Sequence, residues 1–308
     1  MPKFIFKRLL MMIPVLIGVL FIVFTLSYIT PGDPARMLLG ERAQPEAIAT
    51  LREEMGLNDP FLVQFGKYIT RIVRFDFGTS YVSKRLVSHE LFQRFPTTLH
   101  LAFLSIVITL LIGLPLGVIS ATKQYSIIDS ICTIFGLTTL SVPYFWLGLM
   151  FMLFFSVKLN WLPATGYSGP IYWIMPSFTV GLVTAGTIMR FTRSSMLEVI
   201  RQDYIRTARA KGQKELTIIM KHALKNAMIP VITVTGIQFG YMIGGAMITE
   251  TIFNIPGIGS FIVQSIRTKD GPIVQGGVLL SAVALCFLNL FVDILYAFVD
   301  PRIRSQYK

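Results

Sequence analysis

Six windows of this chain are long, apolar and free of Asp, Glu, Lys and Arg: Leu9–Ile29, Leu99–Thr122, Ile131–Val157, Ile171–Met189, Asn226–Thr249 and Pro272–Val292. A helix needs about 20 apolar residues to cross a bilayer, and in lipid only helices or closed barrels satisfy their own backbone polar groups. Barrel strands alternate over about ten residues. These runs are continuous, so the expected fold class is an all-α membrane protein with about six transmembrane helices. Composition agrees, because 53% of the 308 residues are hydrophobic and 14% charged, too little charge for a soluble surface. The first window exceeds a signal-peptide core and no A-x-A site follows it, which predicts a retained span.

Lys and Arg set the orientation. Lys3, Lys7 and Arg8 precede the first span, placing the N-terminus in the cytoplasm. Six crossings return Arg302, Arg304 and Lys308 to the same side. The segment Arg190–Lys225 is cytoplasmic by the same count, with nine Lys/Arg against three acids, Glu198, Asp203 and Glu215. The net charge of +12 is therefore read as loop asymmetry facing membrane lipid, with no nucleic acid expected as partner.

Between the first two spans lies an outer segment. Pro45 opens an amphipathic stretch through Met55, closed by Gly56, and Phe61–Phe75 places Leu62, Phe65, Ile69 and Ile72 on one helical face. A small helical layer is expected there. Within the spans, Gly236, Gly240 and Gly244 recur at four-residue spacing and Gly113 pairs with Gly117, so helix backbones approach closely at these positions, within the subunit or at a pore or dimer interface. Pro115, Pro143 and Pro230 should kink or interrupt their helices. Gln238 and Asn289 are polar mid-span positions and candidates for the pore lining, with packing contacts as the alternative.

Chemistry is sparse. Cys132 and Cys286 sit in apolar runs and read as small buried hydrophobes. His89, His100 and His222 lack metal-ligand spacing, so no metal site and no catalytic residue is expected. No G-x-x-x-x-G-K-[ST] phosphate loop occurs, so the chain supplies no nucleotide site, and Gly257-Ile258-Gly259 is too short for a dinucleotide fingerprint. A proton-coupled transporter would need intramembrane acids. Glu250 and Asp293 are the candidates, both near span ends, where capping or ion pairing explains them. No His-Glu-x-x-His, paired carboxylates or nucleophile–base pattern supports an intramembrane enzyme.

The informative stretch is the basic loop, residues 197–228. Asp203-Tyr204-Ile205-Arg206-Thr207-Ala208-Arg209-Ala210-Lys211-Gly212 predicts a short helix, a glycine able to take positive φ, and then a second helix. Such a helix, bounded by a glycine turn, suits docking into another protein. An ordinary basic loop facing anionic lipid is the plainer reading.

This loop resembles the EAA motif, Glu-Ala-Ala-x-x-x-Gly, of binding-protein-dependent ABC importer permeases, with Arg206 for the glutamate and Thr207 for the first alanine. Lys225 stands where the motif's later proline falls, and Pro230 follows it. These departures resemble the peptide/nickel subfamily, as does His222-Ala223-Leu224-Lys225-Asn226-Ala227-Met228-Ile229-Pro230. The likeness continues in Pro31-Gly32-Asp33-Pro34, Met55–Pro60, Asp76–Ser80, Arg94–Leu99, Ser141–Trp146, Trp161-Leu162-Pro163, Glu250–Gly259 and Val299–Arg304. The chain thus looks like the first permease subunit of a dipeptide, oligopeptide, glutathione or nickel importer. The resemblance implies an N-terminal transmembrane helix (1–30), an extracytoplasmic helical segment (31–95), a type I permease core (96–299) and a cytoplasmic tail (300–308), in the bacterial inner membrane. It also implies the partners: a homologous second permease, two ATP-binding subunits and an extracytoplasmic solute-binding protein. ATP and Mg would be held by the ATPase subunits, with no cofactor in this chain. Asp203, Tyr204, Arg206, Thr207, Ala208, Ala210, Lys211 and Gly212 would form the coupling contact to an ATPase.

Overall fold

Five of the apolar windows form helices long enough to cross a membrane, and the sixth crosses only as a bent pair. The computed structural model describes residues 2–40 and 42–299; the 300–308 tail and its Asp300–Arg304 motif lie outside them. In chain order the helices are α1 (Pro2–Ile29), α2 (Pro34–Leu39), α3 (Pro45–Glu54), α4 (Phe61–Val73), α5 (Val87–Thr122), α6 (Ile127–Ser141) and α7 (Tyr144–Phe151) with a π-helical turn (Met152–Lys158). There follow α8 (Pro170–Ile200), α9 (Asp203–Ala210), α10 (Glu215–Thr217) with a π-helical turn (Ile218–Ala223), α11 (Leu224–Ile252), α12 (Ile258–Arg267) and α13 (Gly271–Val299). Among the described residues, extended pairing is limited to one bridge, Thr79 with Leu86.

The Ile131–Val157 window departs from a straight span. Its two helical arms meet at 101° around Val142–Pro143, because proline has no N–H to continue the ladder and its ring clashes with the preceding turn. Pro115 and Pro230, by contrast, lie inside α5 and α11 without ending them. Lipid leaves the backbone no other partner, so a helix carries one missing bond where neighbours pack around it.

α8 is the centre of the bundle, with 61% of its span window buried against 11–33% in the other four. Small residues make this possible. A Cβ on Gly113 would stand 2.6 Å from the Ala185 carbonyl oxygen, and one on Gly117 would stand 2.6 Å from that of Met189. α5 and α8 therefore touch backbone to backbone. Gly117→Leu is expected to force this seam apart and to lower the yield of monodisperse protein in detergent at least several-fold, an overpacking effect of about 1–3 kcal/mol or more. Gly18→Leu on α1, where nothing lies within 4 Å, serves as the matched control, and size-exclusion profiles read the comparison.

The α11 stripe is used only in part. Gly236 faces Val292, and a Cβ on Gly240 would lie 2.5 Å from Leu285, so both pack on α13. Gly244 is exposed with nothing within 4 Å, and so falls outside this seam. Cys132 is buried but Cys286 is only half-buried, since its part of α13 lies towards the outside of the bundle.

At the end opposite the basic loop, α4 packs on α1 and α13. Its inward face is Phe61, Phe65, Tyr68 and Ile72, set against Leu20, Phe24 and Leu279, and Phe24 stacks on Tyr68 at 5.3 Å. Leu62 is 74% exposed; it sits about 100° round the helix from Phe61, which takes the contact instead. Polar clasps hold the rest of this layer. Asp33 caps α2 through the Ala35 N–H (3.1 Å) and pairs with Arg52 of α3 (2.9 Å). Asp270, buried before α13, accepts from the Ser80 hydroxyl (2.5 Å) and the Tyr81 N–H (3.0 Å).

Candidate functional site

The basic loop begins where α8 ends at Ile200 and the chain turns through Gln202 into α9. Spacing dictates the rest. Ile205 and Ala208, three apart, share one helical face and are buried with Met196, Ile218, Ala223, Ala227 and Ala121. Full burial of Ile205 alone stabilises by roughly 1.5–3 kcal/mol. Gly212 sits at φ +71°, its N–H donates to the Arg209 carbonyl (2.9 Å) and the Gln213 N–H donates to that of Ala208 (3.4 Å). This is the Schellman arrangement that stops a helix sharply.

Side chains then fix α9 to the following segment. Arg209 makes two bonds to Glu215, at 2.6 and 3.1 Å, and this carboxylate raises the Arg209 pKa. The Asn226 amide donates to the Tyr204 hydroxyl at 3.0 Å, and His222 pairs with Gln213 at 2.8 Å. Arg206 approaches Asp203 at 3.6 Å, but both are largely in solvent, where such a pair contributes little.

The exposed surface of the loop carries Asp203, Tyr204, Arg206, Thr207, Ala210, Lys211 and Gly212. Ala208, by contrast, is 8% exposed and packs inward, supporting the loop from beneath. Sequence reading missed Leu216 and Met220, which are 72% and 53% exposed beside α9. Two apolar residues four apart in a basic loop were the available signal.

A buried ion pair braces this end. Asp129 of α6 accepts from Arg193 of α8 through Nε (2.8 Å) and a terminal nitrogen (2.9 Å), and also from the Ser120 hydroxyl (2.5 Å) and the Tyr125 N–H (3.0 Å). At the opposite end Glu250 is 0% exposed, away from the water expected at a span end. Its carboxylate accepts from the Thr98 hydroxyl (2.7 Å) and the Ser260 N–H (2.9 Å), while Thr98 accepts from the Ile258 N–H (2.9 Å). Thr98 and Glu250 together cap α12, whose first N–H groups need acceptors. Asp293 pairs with Arg8 at 3.0 Å, joining α13 to α1. Both acids thus have structural partners.

Two cavities accompany these features. One, about 1520 Å³, opens between α1, α4, α12 and α13. The other, about 390 Å³, lies at the α6–α7 bend and includes Gln238 in its lining. Asn289 lines neither cavity; it is exposed on α13 with its Oδ1 3.9 Å from where a Gly240 Cβ would stand.

A family model described as the binding-protein-dependent transport system inner membrane component matches residues 113–305, and its N-terminal companion matches 1–102. The glutathione transport system permease protein GsiC of Salmonella typhimurium (strain LT2) is 43% identical over 99% of this chain and 100% of its own length. The dipeptide transport system permease protein DppB of Alkalihalophilus pseudofirmus is 41% identical over 97% and 98%. Among solved structures, a chain of the inward-facing MetNI methionine ABC transporter superposes with a TM-score of 0.57 at 22% identity, covering 68% of this chain and 96% of that one. A chain of an amino acid ABC transporter with histidines gives 0.52 at 14%, covering 70% and 94%.

Proposed function

This chain belongs to the binding-protein-dependent transport system inner membrane components, and we propose that it is the permease subunit through which an ATP-driven importer passes di- and oligopeptides. The observation that carries the reading is the basic loop: a short helix ended by Gly212, rigidly seated through Ile205 and Ala208, with Arg206 and Lys211 exposed on its outer surface. In this reading the loop is cytoplasmic, as are both termini, and it docks into an ATPase subunit. Two ATPases hold ATP and Mg, a homologous second permease completes the pore, and an extracytoplasmic binding protein delivers the cargo. Closure of the ATPase pair displaces α9, and α8 and α11, which share its core, follow as the permease alternates between inward- and outward-facing states.

Peptide is preferred over a nickel chelate because the relatives reported above are named for glutathione and dipeptide. Glutathione, itself a peptide, is the second reading. The test is uptake into proteoliposomes holding the four-subunit importer, with ATP inside and the binding protein with labelled dipeptide outside. Uptake is expected to require ATP and co-purifying ATPase subunits. Uptake driven by a proton gradient without them contradicts the proposal and restores the secondary-transporter alternative.

A further inference from the structure

The broken third span leaves a run of backbone groups open at its bend. The Val142 N–H donates to the Thr138 carbonyl (3.2 Å) and the Leu147 N–H donates to that of Pro143 (3.1 Å). Between these bonds, the carbonyls of Leu140, Ser141 and Val142 and the N–H groups of Tyr144, Phe145 and Trp146 have no partner among the described residues. The break divides Ile127–Lys158 near its midpoint, and the side chains opposite it, Thr184 and Thr187 of α8 and Gln238 of α11, come from the middle of their helices, an arrangement that puts it at mid-span. Orphan backbone at that depth is tolerated where it is buried in protein or lines a water-filled path, and not against lipid tails; Ser141, Pro143 and Tyr144 are exposed and not packed over by this chain.

The cavity of about 390 Å³ lies at this break, lined by Ser141, Pro143, Tyr144, Thr184, Thr187 and Gln238 among others. Gln238 and Thr187 are half-buried, and neither side chain has a hydrogen-bond partner among the described residues. A carboxamide offers one carbonyl and one NH₂, the donor and acceptor types of a peptide group. The end of α6 adds carbonyls carrying partial negative charge, and the start of α7 adds N–H groups carrying partial positive charge. The volume falls in the lower part of the range for small-molecule sites.

We propose that this break is a peptide-backbone site on the translocation path, in which Gln238, Thr187 and the open main chain at Leu140–Trp146 hydrogen-bond the amide groups of the cargo. The site deepens the peptide-permease reading and rests on it. Because every contact is to main chain, the site accepts different side chains while requiring a free amide N–H.

The test compares dialanine with dialanine methylated on its peptide nitrogen, in proteoliposomes of the complete importer with one and the same binding protein. Wild-type importer is expected to favour dialanine. Gln238→Leu is expected to lower dialanine uptake about tenfold, the size of one lost hydrogen bond, and to bring the uptake ratio of the two peptides towards one. Thr187→Val, which changes little volume, is expected to shift the ratio the same way if Gln238→Leu fails to assemble. Since the binding protein is constant, a shifted ratio belongs to the permease. A wild-type ratio in either assembled variant overturns the site alone. Wild-type importer that takes up neither dipeptide overturns the peptide reading and the site with it.

Discussion

Asp129→Ala is expected to destabilise the solubilised protein by about 3 kcal/mol, since removing one partner of a buried ion pair leaves the other charge uncompensated. Arg193 would lose two bonds of 2.8 and 2.9 Å, and the Ser120 hydroxyl and Tyr125 N–H would lose their acceptor. Asp129 is 7% exposed at its side chain and Arg193 27%, so water reaches the stranded guanidinium in part. This places the cost at the low end of the range for fully buried pairs. In a thermal melt the change reads as a fall of roughly 5–10 °C for a chain of this size. The double variant Asp129→Ala/Arg193→Ala should recover part of the loss, because it strands no charge. A single variant that melts with the wild type would show that the α6–α8 clasp contributes nothing.

That clasp marks the limit of what the sequence discloses. Apolar windows without charge expose themselves because lipid imposes one composition on every spanning residue, so five spans are visible from Leu9, Leu99, Ile171, Asn226 and Pro272 onward. Asp129 and Arg193 fall just outside those windows and are 64 positions apart, and nothing local distinguishes them from solvated loop charges. Glu250 misleads in the same way. Its position at the end of a hydrophobic run suggests water, yet the partners that bury it, Thr98 and Ser260, come from a distant helix and from beyond a turn. The loop shows both halves of the problem. Gly212 announces its turn through its own backbone freedom, whereas the inward direction of Ala208 depends on the seat formed by Met196, Ile218 and Ala227. Pro143 signals an interruption, but the cavity beside it requires Thr187 and Gln238 to arrive from two other helices. Leu62 shows the cost of judging a helical face by apolarity alone, when aromatic packing on Phe24 decides the rotation of α4.

Gly212→Val should separate folding from transport more sharply than any other substitution in the chain. At φ +71° a β-branched residue is strained by its own backbone, at a cost of about 1–2 kcal/mol, while nothing lies within 4 Å of the added Cβ. The effect is therefore conformational and confined to the turn. Relief comes by abandoning the positive φ, which breaks the Gly212 and Gln213 bonds to Arg209 and Ala208 and removes the sharp stop that sets α9 against the following segment. Neither the α5–α8 seam nor the Asp129–Arg193 clasp uses Gly212, so membrane insertion and yield are expected to stay within about twofold of wild type. If the loop couples the permease to its ATPases, a misdirected α9 leaves them idling. ATP-driven uptake falls by more than about tenfold, as expected when a contact region worth roughly 1.4 kcal/mol or more is lost, and hydrolysis no longer rises when loaded binding protein is added. Gly212→Asn gives the graded comparison, because asparagine tolerates the left-handed region far better than valine, and it should retain most of the uptake. Full uptake by the valine variant at normal expression would remove the loop from the coupling role, however well its geometry suits one.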